Sequence, residues 1–127
     1  MKPSFYLITA MGILSLMSCA EAEQSLTVTA SAYTSSVGET DSTPNLAAWG
    51  DTLKPGMKSI AVSRDLIKLG LTHQQEVRIE GFDGKYTVLD KMNKRWTNKI
   101  DIYMGEDVEK ANQWGKQEVV IYWIDQD

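Results

Sequence analysis

Cysteine is almost missing from this chain: Cys19 is the only one in 127 residues. Beyond position 19 there is no thiol, so the domain forms neither disulfides nor thiolate metal sites and must be held by core packing and hydrogen bonds. Histidine is as scarce. His73 stands alone, and one imidazole without a cysteine or second histidine is a poor zinc ligand set. Nucleotide-cradling glycine patterns, a G-x-S-x-G nucleophile turn and metal motifs are missing too. The expectation is a protein with no metal and no cofactor. Positive charge is in deficit, 13 Lys and Arg against 17 Asp and Glu. From Cys19 onward Lys2 is excluded and the balance is 12 against 17, a net charge of −5. Nucleic-acid modules are normally basic, which argues against such a partner. Internal repeats and low-complexity segments are lacking. Long apolar runs are lacking as well, since the stretch from Phe5 to Met17 falls short of the roughly 20 residues that span a bilayer.

That short run, preceded by Lys2, reads as an export signal. Leu16-Met17-Ser18-Cys19 has the form of a bacterial lipobox, with an apolar residue three before a cysteine and a small one just before it. Cleavage there would leave Cys19 as the mature N-terminus, ready to carry a diacylglycerol and anchor the protein to a membrane. Ala20-Glu21-Ala22 is an A-x-A cleavage site that would instead give ordinary secretion. The lone cysteine at the lipobox position favours lipidation. The organisation expected is a signal peptide over 1–19, a short acidic tether over 20–25 and one domain over 26–127, exported from a bacterial cell and working as a monomer.

Within the domain, "LTVTASAY" (26–33) alternates as a strand does, "KSIAV" (58–62) is a short buried strand, and "QEVRIEGF" and "GKYTVLD" alternate around an Asp83-Gly84 turn. "KIDIYMG" and the closing "QEVVIYWI" are further strands. Ser63 is placed to cap a short helix that ends at Gly70. "GEDVEKANQWG" has acids in its first turn and Gly115 just past its end, as a second short helix should. Six short strands, two short helices and long loops predict a mainly β fold, a small barrel rather than a sandwich.

"TASAYTSS", "AAWG", "IAVSRDLIKLG", "VLDKMNKRWTNKIDIYMG" and "ANQWGKQEVVIYW" resemble the three-aspartate domain. That is the double-psi β-barrel module of membrane-bound lytic transglycosylase A and of stationary-phase survival proteins. The wider group contains rare lipoprotein A, expansins and family-45 endoglucanases. The likeness covers about residues 27 to 123. The family pattern runs A-V-D-x-x-x-I-P-x-G, then D-x-G-G-A-I-K-G-x-x-x-D-I-Y. Asp90 and Asp101 keep its spacing of eleven, and Ile102-Tyr103 follows. The resemblance thus implies Asp101 as catalytic acid and Asp90 as its supporting carboxylate. Two departures stand out. Ser63 replaces the first family aspartate, with Asp65 two residues on as a stand-in, and Met92 to Thr97 replace the glycine-rich segment.

The activity implied is cleavage of peptidoglycan glycan strands. A glycosidic bond breaks when an acid protonates the bridging oxygen. A lytic transglycosylase needs no positioned water, because the muramic C6 hydroxyl attacks internally and returns a proton to the same acid. Free aspartate titrates near 3.9, so burial or a neighbouring carboxylate must lift Asp101. Between the two aspartates lie four basic residues, Lys91, Lys94, Arg95 and Lys99, and no acid. Beside Asp101 they would favour its ionised form. Facing outward, they would meet substrate carboxylates or pair with surface acids. Trp49, Trp96 and Tyr103 are candidate sugar-stacking rings, and Tyr33 and Thr34 are candidate groove residues. Trp114 and Trp123 are assigned to the core. A non-catalytic wall-binding or structural lipoprotein using the same groove is the alternative, favoured by the Ser63 and glycine-segment departures.

Overall fold

The computed structural model describes residues 22–35 and 46–125. The export signal, the lipobox with Cys19 and most of the Ser- and Thr-rich loop lie outside the described residues. Strand β1 (Glu23–Tyr33) is followed by β2 (Ser59–Val62), helix α1 (Arg64–Ile67), β3 (Glu76–Ile79), β4 (Tyr86–Lys91), β5 (Lys99–Tyr103), helix α2 (Val108–Trp114) and β6 (Gln117–Ile124). The strands close into one mixed barrel in the order β1-β5-β2-β4-β3-β6. The protein is thus mainly β, a six-stranded barrel with two short helices.

Alternation in the sequence becomes inside and outside in the barrel. Val28, Ala30, Ile60, Val62, Val77, Val88, Ile100, Ile102 and Ile121 are almost wholly buried and form the interior. Branched side chains suit this space because they fill a pleated, curved wall with few rotamers to lose. Leu66 from α1 and Leu71 just after it join the same core. Gly70 makes that approach possible: at φ 113° it turns the chain, and a Cβ there would meet the Asp125 carboxylate at 2.5 Å. Trp123 is core as expected, while Trp114 packs against the core half-buried and donates its indole N–H to the Ala30 carbonyl at 3.1 Å.

The topology repeats. Strands β1, β2, helix α1 and β3 are matched in order by β4, β5, helix α2 and β6. Exchanging the two halves maps the parallel pair β1/β5 onto β4/β2 and the antiparallel pair β1/β6 onto β4/β3. The antiparallel pairs β2/β5 and β3/β6 map onto themselves. A pseudo-two-fold therefore passes through the Ala61↔Asp101 pair, the centre of the β2/β5 ladder.

Two sequence expectations need correction. Strand β1 begins at Glu23, so Glu23, Gln24 and Ser25 are not tether but pair with Ile124, Trp123 and Tyr122 of β6. At this rim Glu23 and Ser25 are exposed, so no apolar residue marks the strand's start. Ser63 occupies the N-cap position of α1 in extended conformation but makes no capping bond. Its Oγ instead accepts the Lys99 backbone N–H at 3.0 Å, while its own N–H donates to the Lys99 carbonyl. It ties the end of β2 to the start of β5. Helix α2 matches expectation, with the Asp107 carboxylate capping Lys110 N–H at 3.0 Å.

Candidate functional site

Register brings the two aspartates together. Asp90 on β4 pairs with Ala61 on β2, Ala61 with Asp101 on β5, and Asp101 with Ser31 on β1. Paired residues point to the same side of a sheet. Because Ile60, Val62, Ile100 and Ile102 face the core, the row Asp90–Ala61–Asp101–Ser31 lies on the outer face. Two strand spacings, about 10 Å, separate the aspartate backbones, and only the methyl group of Ala61 stands between them. A register shift in the β2/β4 ladder makes this possible. Ile60 pairs with Val88 but Ala61 with Asp90, so Leu89 is the extra residue of a bulge that brings Asp90 onto the row.

One step along β1 and β5 the row gives way to the Tyr33↔Tyr103 pair, whose ring centroids are 5.5 Å apart. Tyr103 is buried with Ala47, Leu53 and Leu89 in a second, smaller apolar cluster. Its hydroxyl shares a 2.7 Å hydrogen bond with the Ser35 Oγ. The Tyr33 hydroxyl is buried and has no partner among the described residues. Burial, with Asp90, Asp101 and Tyr103 nearby, lifts its pKa far above the ordinary tyrosine range, so it stays protonated and remains a donor.

The two carboxylates have different surroundings. Asp90 Oδ1 accepts the Ala48 N–H at 2.7 Å and the Lys91 N–H at 2.9 Å, pinning the 46–57 loop to the barrel. Burial still raises Asp90 above the usual carboxylate range; those two bonds and Lys91 oppose the rise, and Asp51 adds to it. Asp101 is raised first by burial and also by Asp90, against the pull of Lys99 and of a hydrogen bond from the Ser31 hydroxyl. The barrel thus holds one carboxylate in backbone bonds and leaves the other half-buried with a hydroxyl as its hydrogen-bond donor.

The basic segment splits in two. Lys99 Nζ lies 4.0 Å from the Trp96 ring centre and the Arg95 guanidinium 4.8 Å from it, so Trp96 gathers cations beside the Asp101 strand. Lys91 Nζ lies 5.4 Å from the Trp49 ring, which also stacks on His73 at 4.9 Å. His73 Nε2 is 2.6 Å from Asp51 Oδ2. Lys94 and Arg95 are exposed on the loop.

Several expected site residues take other roles. Thr34 and Ser63 are fully buried and Tyr103 nearly so, which leaves them no surface for a ligand. Asp65 does not join the row; its Oδ2 accepts the Asn98 N–H at 2.9 Å and ties α1 to the loop before β5. Burial pushes the Asp65 carboxyl up, but hydrogen bonds from Ser63 and Asn98 outweigh it and hold the group below its ordinary value. Trp49, half-buried, stacks on His73 and lies under the Lys91 ammonium. Ser31, Asp51 and His73 border the site without having been singled out for it. Ser31 carries no signal of its own: only the parallel β1/β5 register places it beside Asp101.

No group of three or more potential ligand side chains that could hold a metal occurs among the described residues. A groove of about 560 Å³ lies away from the aspartates, lined by Lys68, Leu69, Gly70, His73, Gln75 and Asp125 among others. Neither a family model nor a curated protein sequence matches this chain.

Proposed function

We propose that this protein is an exported double-psi β-barrel that cleaves peptidoglycan glycan strands, with Asp101 as general acid and then base. The barrel topology supports the finer fold name. Two equivalent halves interlock, each contributing a strand to a parallel pair with the other. The ladder is also steeply staggered. Ile124 is level with Glu23 on one side. Followed the other way through Thr87, Ser59 and Tyr103, the same level returns to β1 at Tyr33, ten residues on.

The observation that carries the chemistry is the contrast between the paired carboxylates. Asp90 is committed to two backbone N–H groups, which favour its charged form. Asp101 is the more open to chemistry, lifted by burial and by Asp90. Burial raises both carboxyls, and a carboxylic acid that holds its proton can donate to a glycosidic oxygen. In the transglycosylase sequence Asp101 gives its proton to the departing oxygen, and the muramic C6 hydroxyl bonds to the anomeric carbon as the old bond breaks. Asp101 then accepts the hydroxyl's proton and the product is a 1,6-anhydro sugar. Among the described residues the other carboxylates near the row are engaged, Asp90 by backbone N–H groups and Asp51 by His73, and the internal attack needs no carboxylate to activate water.

The two bonds that hold Asp90 favour a second reading. A carboxylate pinning a loop serves equally a wall-binding lipoprotein that does not cut. Digestion of purified peptidoglycan by the mature domain and by Asp101→Asn, with released muropeptides read by mass spectrometry, separates the two. Anhydro-muropeptides that vanish with Asp101→Asn are the expected result. Products carrying an added water would point to a hydrolase, and no products with sedimentation onto the wall intact would replace the enzyme by the binding protein.

A further inference from the structure

The distance between the lipobox and the barrel is too short for a linker. Strand β1 begins at Glu23, four residues after Cys19. Four residues span about 14 Å at full stretch. A lipid on Cys19 therefore confines the Glu23 rim to the membrane surface whatever path those residues take.

That rim has the surface such confinement requires. Glu23 pairs with Ile124, the last residue of β6. Gly70 packs against Trp123 and Asp125, which brings its neighbour Leu69 to the same rim. Leu69 is 52% exposed and Ile124 41% exposed, two of the three large hydrophobic residues so exposed among the described residues. Lys68 is the one cationic side chain lining the adjoining groove among the described residues. Arg78 is engaged by Glu23 at 2.6 Å, and Asp125 accepts the Trp123 indole N–H. Without a basic cluster the rim has no charge preference for anionic lipid. Short tether and apolar side chains are what it offers a bilayer.

We propose that the rim carrying Glu23, Leu69 and Ile124 lies against the lipid surface that holds the acylated Cys19, with β1 setting the distance to the Asp90–Asp101 row. The proposal rests on the lipoprotein reading of Cys19 and is independent of whether the barrel cuts glycans. Ser31, at the end of the row, is eight residues from Glu23 along β1, a contour of about 26 Å at strand rise. Less the tilt of a barrel strand, that length is the reach by which β1 holds the carboxylate row away from the Glu23 rim, the part a flexible linker would otherwise play.

The test uses the full lipidated chain in phosphatidylcholine vesicles. Acylation consumes Cys19, so a new cysteine is the only free thiol. A polarity-sensitive fluorophore is attached at Leu69→Cys, Ile124→Cys or Lys116→Cys, the last lying just before β6 at the strand's other end. Emission shifted to the blue and quenching by a spin-labelled lipid at positions 69 and 124, neither occurring at 116, is the expected result. A spacer of about ten Gly and Ser residues after Ala22, adding roughly 16–19 Å, should remove both signals. Equal signals at all three positions, or signals unchanged by the spacer, would overturn the proposal. Mass spectrometry of the mature N-terminus is run first: an unmodified chain overturns the lipoprotein reading and the docking with it, whereas an acylated chain without the contrast overturns the docking alone.

Discussion

The two halves of the barrel occupy equivalent places and carry different side chains there. At the pseudo-two-fold, the first half offers Ala61 and the second Asp101. One strand outward, β1 contributes Ser31 where its counterpart β4 contributes Asp90. The second half supplies both carboxylates and the first supplies a methyl group and a hydroxyl. Backbone symmetry thus builds a row of four positions. Side chains then break it so that Asp101 lies between an apolar residue and a hydroxyl, while Asp90 is drawn into backbone bonds with a loop. A carboxylate at Ala61 alone would place three acids side by side, and like charges at such spacing cannot all ionise cheaply.

The largest expected effect separates the halves outright. Asp101→Asn should lower glycan cleavage by about 10²–10⁴-fold, the usual contribution of a positioned acid. Its stability should move the other way. Asp101 has a raised pKa in the fold, so its contribution to stability is complete below the unfolded value near 3.9 and is lost as pH rises through the folded value. The asparagine variant carries no such loss. It should melt above the parent at pH 7, with the gap closing below pH of about 4. A variant that is both inactive and less stable at pH 7 would make Asp101 a structural residue.

Asp90 is raised by burial too, and what sets it apart is the pair of backbone bonds it accepts. Asp90→Ala strips the acceptor from the exposed Ala48 and half-buried Lys91 N–H groups, at about 0.5–1.5 kcal/mol for each bond. Asp90→Asn keeps an acceptor oxygen and should restore most of that loss. Denaturant unfolding of the two variants measures the difference; equal losses would mean that charge, not the pinned loop, is what Asp90 supplies. A smaller effect is expected at the helix of the second half. Trp114→Phe keeps the ring but loses the bond to the Ala30 carbonyl, for about 0.5–1.5 kcal/mol in the same measurement.

Legibility in the sequence followed the same division. Interior positions announced themselves: β3 and β4 alternate as strands with one face in the core must, and the short run of β2 is buried throughout. The rim did not: Glu23 to Ser25 form strand by pairing with β6, and the inward position there is the polar Gln24. Ser63 has the side chain and backbone of a helix cap, yet its hydroxyl is taken by Lys99, 36 residues away. The spacing of Asp90 and Asp101 is local and could be read, whereas Ser31 and Ala61 join them only through cross-strand register. Likewise the pairing of Asp51 with His73 and the stacking of His73 on Trp49 depend on where the 46–57 loop folds back.

The finest test concerns Lys99, one of the four basic residues framed by the aspartates. Its position, two residues before Asp101 on the same face of β5, pulls the Asp101 carboxyl down against burial. Its ammonium also lies over Trp96, an attraction that spreads its charge between ring and acid. Lys99→Met keeps the length of the side chain and removes the charge. Asp101 should then hold its proton to higher pH, so the alkaline limb of the cleavage profile should move upward, with the rate at low pH little changed. The acidic limb carries no such dependence, because below the folded pKa Asp101 is already protonated with or without the lysine. Arg95→Met at the same ring is the control: Arg95 does not figure among the groups that shift Asp101, and its removal should leave the limb in place. If both variants move the limb equally, Trp96 rather than Lys99 controls the acid, and the basic segment acts on the site through the ring.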